Sequence, residues 1–375
     1  GSGVTAQRSV LVVPMGLPAS MASVSNLGVE GTGQRGVLVI DMETGALIRE
    51  MLTADLDKTG MPVTGDDADL GYFASDMACA PAGTGQIATR CFAGDTKGIL
   101  WRLDLTDVNP ANWKLKFFHD AYGGPTIPSA WVKALNSTDR APVHVAPSVA
   151  LNSAGNLVVV YGTGHGDDES NADRRHIVQS VTESFVANSN GEGVVPLVSV
   201  NWHKRLDAFE RFIGPPVVFA LHAYWSSWLV TQEGSCQTGT GRIWGARFDR
   251  AQAPSDLTDL IGAFPDPNAP SNKASNQDFV AFGEERPSPV DIQPLPACRG
   301  SCSPTDPNCV ASSANSGLSG GRPQYQVQVA TPTAGVQAAG MEPKTGTMPT
   351  VGTATQTIPQ PRTTAVVTGW DVLLE

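Results

Sequence analysis

The sequence predicts an all-β chain built around a β-propeller-like domain with long loops and a disulfide-stabilised C-terminal extension. Three observations predict it. First, 39 Gly and 28 Pro in 375 residues interrupt helices too often for a helical protein, while 41% hydrophobic residues are too many for a disordered one. Second, strand-like apolar runs recur along the chain, each closed by Gly or by Asp and Asn. Third, two of these runs share one plan of strand, Gly-containing turn and apolar return strand, which makes a β-hairpin. Such hairpins return at intervals of about 40 to 60 residues, the rhythm of propeller blades.

Taken in order, the runs are SVLVVPM (9–15), GVLVIDMETGALIREML (36–52), RCFAGDTKGILWRLDLT (90–106), NLVVVYGTG (156–164), GPPVVFALHAYWSSWLV (214–230) and RIWGARFD (242–249). Only IPSAWVKAL (127–135) and residues 203–212 have a helical look. From about residue 251, Pro, Asp, Ser and Asn dominate as far as Gly321; YQVQVA (325–330) is strand-like, and a Thr/Pro/Gly linker leads to TAVVTGWDVLL (364–374). This divides the chain into a main propeller region (1–252), a Pro/Ser/Cys-rich extension or insertion (253–321), and a C-terminal part (322–375) whose last strand suits closure of the ring by pairing with the first.

A formal net charge of −11 argues against nucleic acid, whose phosphates reward clustered Lys and Arg. No apolar run reaches the roughly 18 to 20 residues of a membrane span. The best, Val217 to Val230, contains His222 and reads as adjacent buried strands. No signal peptide is recognisable at the start, so an exported chain would belong to a longer precursor, and Gly1-Ser2-Gly3 reads as a cloning remnant. The six Cys are Cys79, Cys91, Cys236, Cys298, Cys302 and Cys309. The last three lie in CRGSCSPTDPNC, a segment too polar to order itself by burial, which points to disulfides and an oxidising compartment. Zinc is the rival reading, since Cys298 and Cys302 have tolerable ligand spacing, but no His is near and no second Cys knuckle exists.

Motifs that would carry catalysis lack their structural setting. The string Gly31-Thr-Gly33-Gln-Arg-Gly36 matches a dinucleotide fingerprint but leads into the strand VLVID rather than a helix. Gly317-Leu-Ser319-Gly-Gly321 spells a nucleophile elbow inside a Ser/Gly tract. The six His show no HExxH and no helical metal pair. Asp55, Asp57, Thr59 and Asp66, with Gly60 between, mimic half of a calcium loop, so calcium is the cofactor this segment would take. Asp66-Asp67-x-Asp69 and His165-Gly-Asp167-Asp168-Glu169, with Asp173 beyond, are further oxygen-rich spots; solvated loops are their plainer reading.

Several segments, in order, resemble the C-terminal region of the PilY-type type IV pilus tip proteins. FAGDTKGILWRLDL (92–105), with Gly94, Asp95, Gly98, Trp101 and Asp104, is similar to that family's "GD..G.LWRxDL" blade hairpin. Trp113 with Phe117-Phe118, APSV (146–149), and VYGTG (160–164) with Gly162 and Gly164 follow in the family's order. VQSVTE (178–183), ERFIGPPV (210–217), Trp225 to Trp228, CQTGTGRIW (236–244) and Trp370 resemble its later segments. The resemblance covers roughly residues 30–250, with weaker echoes beyond.

The resemblance implies a secreted, propeller-bearing protein at the pilus tip, exported through the periplasm. Such a module primes pilus assembly with minor pilins, supports twitching motility and cell adhesion to host or abiotic surfaces, and performs no chemistry of its own. Its further partner would be the N-terminal half of its own precursor, which in the family often carries a von Willebrand A-like adhesive domain. Some relatives hold calcium in alternating Asp just before the "GD..G.LW" hairpin. Here Asp76-Met-Ala-Cys79-Ala-Pro-Ala-Gly-Thr-Gly-Gln86 lacks those carboxylates, so that site is not carried over. Cys79 and Cys91 flank the turn on what would be neighbouring strands, where a disulfide would staple it; Cys236 is expected to join the 298/302/309 cluster. Two other readings remain open: a quinoprotein-like propeller enzyme, and a carbohydrate- or calcium-binding propeller with Trp202, Tyr224, Trp225 and Trp228 along a groove.

Overall fold

A computed structural model describes residues 8–15, 36–52, 55–59, 61, 71–81, 87–124, 127–134, 137–165, 170, 174–187, 194–232, 238–250, 260, 262, 264–265, 276–282, 286–295, 324–331 and 352–358. Among these, strands dominate and no α-helix occurs. The first sheet is an antiparallel meander of β1 (Val10–Met15), β2 (Gly36–Asp41) and β3 (Leu47–Leu52). The second has the order β4-β8-β7-β6-β5, from β4 (Leu56–Asp57), β5 (Ala78–Ala80), β6 (Arg90–Gly94), β7 (Ile99–Asp104) and β8 (Lys114–Asp120). The third is β9 (Ser148–Leu151), β10 (Leu157–Gly162), β11 (Ile177–Ala187) and β12 (Val194–Arg205).

The fourth sheet begins with β13 (Glu210–Phe219), β14 (His222–Gln232) and β15 (Thr238–Arg247). A small ribbon of β16 (Phe264–Pro265) and β17 (Asn276–Gln277) follows, and β18 (Phe279–Phe282) then returns to pair with β15 as the fourth strand. The last sheet is β19 (Asp291–Leu295), β20 (Gln324–Thr331) and β21 (Gly352–Ile358).

These sheets stack face to face in chain order because each strand's side chains alternate between two apolar neighbours. On β6 and β7, Cys91, Ala93, Ile99, Trp101 and Leu103 pack toward Val37, Val39 and Met51 of the first sheet. The intervening Phe92 and Leu100 pack toward Leu157, Val159 and Tyr161 of the third. On β10 the alternation repeats: Val158 and Val160 meet Ala223, Trp225 and Trp244 of the fourth sheet. Tyr224 and Ile243 then meet Val290, Val327 and Val329 of the last. A succession of meander sheets, each packed against its sequence neighbours, is a propeller-like architecture.

Several expectations are corrected. Of the segment 127–135, the described residues 127–134 hold only a short 3-10 turn, Ser129–Trp131, since Pro128 before it (ψ 133°) and Val132 after it (ψ 129°) leave the helical region; Leu135 lies outside the described residues. Residues 203–212 are not helical: His203 to Arg205 finish β12, Phe209 turns with φ 64°, and β13 starts at Glu210. Strands β18 and β19 lie inside the segment read as an extension and pair with β15 and β20; β21 lies inside the segment read as a linker. The apolar segment 364–374 lies outside the described residues.

Candidate functional site: the polar junction between the second and third sheets

The turn joining β6 to β7 is organised by one carboxylate. Asp95 has no solvent contact, and its oxygens accept from the backbone N–H of Lys97 (2.8 Å) and Ile99 (2.9 Å) and from the Trp101 indole (3.0 Å). Burial pushes its carboxyl up to about 6, against the pull of Trp101, the two backbone donors and the Arg140 guanidinium. Gly98 takes φ +77°, and a Cβ there would lie 2.8 Å from the Tyr122 ring. A Cβ on Gly94 would fall 2.2 Å from Cβ of Val143. The backbone of Val143 in turn donates to the Asp95 carbonyl at 2.9 Å. The hairpin therefore needs Asp, Gly and Trp at these places to admit the strand leading to the next sheet.

Arg140, 3% exposed, clamps this corner. Its guanidinium donates to the carbonyls of Lys97 (2.6 Å) and Lys133 (2.8 Å), pairs with Asp120, and lies 5.1 Å from the Tyr122 ring centre. The Tyr122 hydroxyl accepts from Ala141 N–H (3.0 Å) and meets Thr163 Oγ1 (3.1 Å), which itself accepts from Ile177 N–H (2.9 Å). A continuous hydrogen-bonded path thus runs from the corner beside the Asp95 turn into the third sheet.

Deeper in the junction, Tyr161 donates to Gln179 Oε1 (2.8 Å) and contacts His119 Nδ1 at 2.7 Å, so His119 carries its proton on Nδ1. Gln179 donates to Ala121 O (3.0 Å) and faces His203 across the β11–β12 ladder. His203 is 1% exposed, lies 5.2 Å from the Trp131 ring, and has no hydrogen-bond partner for either ring nitrogen among the described residues. Burial lowers both His119 and His203 to about 4; for His119 the neighbouring His203 adds to the effect. Toward one rim of the same junction, Arg102 pairs closely with the buried Glu183, and Arg90 Nε stands 3.3 Å from the other Glu183 oxygen.

In the sequence, Arg102 and Glu183 figure only as parts of motifs, and Arg140, Asp120 and His203 do not announce themselves as a network. A signal existed for two of them: Arg102 sits in ILWRLD and Glu183 in IVQSVTESFV, charged residues within largely apolar strands. Such a residue has to bury its charge against a partner.

The other sequence-predicted residues are distributed. Cys79 and Cys91 form a disulfide between directly opposed residues of β5 and β6. Cys236, Cys298, Cys302 and Cys309 lie outside the described residues. Asp55 accepts from Leu52 N–H (2.9 Å) and Asp57 from Thr59 N–H (3.1 Å); the Thr59 hydroxyl is the main cause of the lowered Asp57 carboxyl. Asp66 lies outside the described residues, and among those described no group of three or more His, Cys, Asp or Glu is gathered as for a metal. Asp104 is held by the Thr106 hydroxyl at 2.6 Å and lies 3.5 Å from Arg102. Gly162 and Gly164 sit where a Cβ would strike the rings of Phe212 (2.6 Å) and His176 (2.3 Å). Trp202, Tyr224, Trp225 and Trp228 are buried: Trp202, Trp225 and Trp244 stack at 5.7 and 5.8 Å between the third and fourth sheets, so they form core and not a groove.

No family model matches the chain, and no curated protein matches it. Among solved structures it is similar to the crystal structure of the Pseudomonas aeruginosa PilY1 C-terminal domain, with a TM-score of 0.42 and 16% sequence identity. The similarity covers 68% of this chain and 63% of that chain, so this chain spans less than two thirds of the domain it matches.

Proposed function

We propose that this chain is a non-enzymatic module of a type IV pilus tip protein, acting through its surfaces in pilus priming with minor pilins and in adhesion. The observation that carries the reading is the Asp95 hairpin. In the segment resembling the PilY-type blade hairpin, each motif residue meets a definite packing need. Asp95 holds the turn and Trp101, Gly98 clears Tyr122, and Gly94 admits Val143. The VYGTG segment then follows on the next sheet, its glycines making room for Phe212 and His176. The Cys79–Cys91 disulfide supports an oxidising location outside the cytoplasm. The ionisable groups of the polar junction tie the second and third sheets together.

The test is recovery of the intact protein from sheared pilus fractions, followed by non-reducing mass spectrometry. Co-recovery with major and minor pilins supports the reading. Absence from pili, with a quinone bound to the purified protein, rejects it in favour of a propeller enzyme.

A further inference from the structure

We propose that His144 and His165 form a two-imidazole site for a borderline divalent transition ion, zinc in the first instance. The segment before β9 and the segment after β10 run side by side through a parallel bridge between Val143 and Gly164. Paired backbones of this kind lie about 4.8 Å apart. The residue after each bridge partner is a histidine, so the pairing brings the two imidazoles together: their ring centres are 6.1 Å apart and the planes cross at 79°.

Two imidazoles on one zinc, with Zn–N of about 2.0–2.1 Å, place their ring centres about 5 to 6 Å apart. The backbone beneath is well held. Val143 N–H donates to Asp95 O (2.9 Å) and Thr163 N–H to Ile177 O (2.9 Å), while Gly164, at φ +83°, lies against the His176 ring. Both histidines are half-buried, which leaves a water-accessible side for the remaining coordination positions.

The chemistry of the pair selects the ion. Neutral imidazole suits zinc, copper and nickel, whereas calcium and magnesium demand oxygen. A net charge of −11 favours any cation at the surface. Asp167, Asp168 and Glu169 follow in the sequence but lie outside the described residues, and the site stands on the two imidazoles alone.

The test uses the full chain, dialysed against EDTA and titrated with zinc chloride near neutral pH in a calorimeter. One zinc per chain is expected, in the micromolar range, with binding weakened about tenfold or more in both H144Q and H165Q and unchanged in H222Q. On the unmutated protein, zinc is expected to protect His144 and His165 from diethylpyrocarbonate in peptide mapping, which keeps the test independent of variant folding. Zinc binding unaltered in both variants, absent protection of the two histidines, or displacement of zinc by an equal concentration of calcium would each overturn the site.

Discussion

Asp95 is an ionisable side chain without solvent contact, and it persists because three donors converge on it while a guanidinium stands near. The same logic governs Glu183, buried between Arg102 and Arg90. Removing one member of such a set leaves an uncompensated charge, which costs about 3 to 5 kcal/mol, whereas replacing the whole set by apolar residues of similar volume is close to neutral. Glu183→Gln should therefore destabilise the protein by about 3 kcal/mol in urea unfolding. Adding Arg102→Met to that variant should restore part of the loss, a coupling that a double-mutant cycle measures directly.

The buried imidazoles make a second prediction at this scale. His119 and His203 are lowered in the folded protein to about 4, from an ordinary value near 6.5. Between those limits the unfolded chain takes up protons that the folded chain does not, so their contribution is intact above about pH 6.5 and drains away as pH falls toward 4. Asp95 acts with the opposite sign, because its carboxyl is raised: its contribution is greatest at low pH and is lost as pH rises through about 6. Comparison of the unmutated protein with H203Q separates the two. The variant should lose less stability on acidification from about pH 7 to about pH 4.5, measured by urea midpoints.

At the scale of single elements, the β5–β6–β7 unit is a short strand, a disulfide and a turn without slack. The disulfide closes a loop with a sequence separation of 12 residues, and removing a cross-link of that size costs about 2 to 4 kcal/mol. C79A/C91A should show a loss in that range, with the far-ultraviolet β signature retained. Gly98→Ala meets both a left-handed backbone and the Tyr122 ring, and should cost about 1 to 3 kcal/mol in the same assay. Gly45 also has positive φ but nothing within 4 Å of an added Cβ, so Gly45→Ala should lose only the backbone part, about 1 kcal/mol. The contrast between the two measures the contact of the hairpin with the corner that follows it.

At the scale of the whole molecule, the sheets behave as a stack in which each inner layer lends one face to each neighbour. The Trp202, Trp225 and Trp244 column lies between the third and fourth sheets of that stack. Enclosed indoles emit at short wavelength and resist quenching, so most of the tryptophan emission should be insensitive to acrylamide in the folded protein. Oligosaccharide ligands should leave that emission unchanged. A red shift or quenching on sugar addition would place an accessible aromatic groove where the structure has a packed core.

Legibility in the sequence depends on whether a feature is local. The β6–β7 hairpin is readable because its turn chemistry, Gly98 and Asp95, lies within a few residues of the strands it joins. Residues 203–212 have a helical look because Leu206, Phe209 and Phe212 recur at every third residue, and only the pairing of β12 with β11 and of β13 with β14 resolves it. Strands β18 and β21 are hidden in Pro-, Ser- and Thr-rich stretches, where partners distant in sequence supply the order that local composition does not. The candidate site divides the same way: the Asp95 turn is visible as a motif, whereas the Arg140 clamp needs three separate segments to meet.

By itself, the sequence determined the β character of this chain, the positions of its main hairpins and the glycines and aspartate that make their turns, since these follow from alternation and backbone sterics over a few residues. Only the tertiary structure decided that Glu183 answers Arg102 from 81 residues away, that the tryptophans face a neighbouring sheet instead of a groove, and that two histidines meet across a bridge. Those contacts depend on which sheets stack and in what register, a matter of long-range packing that no short segment encodes alone.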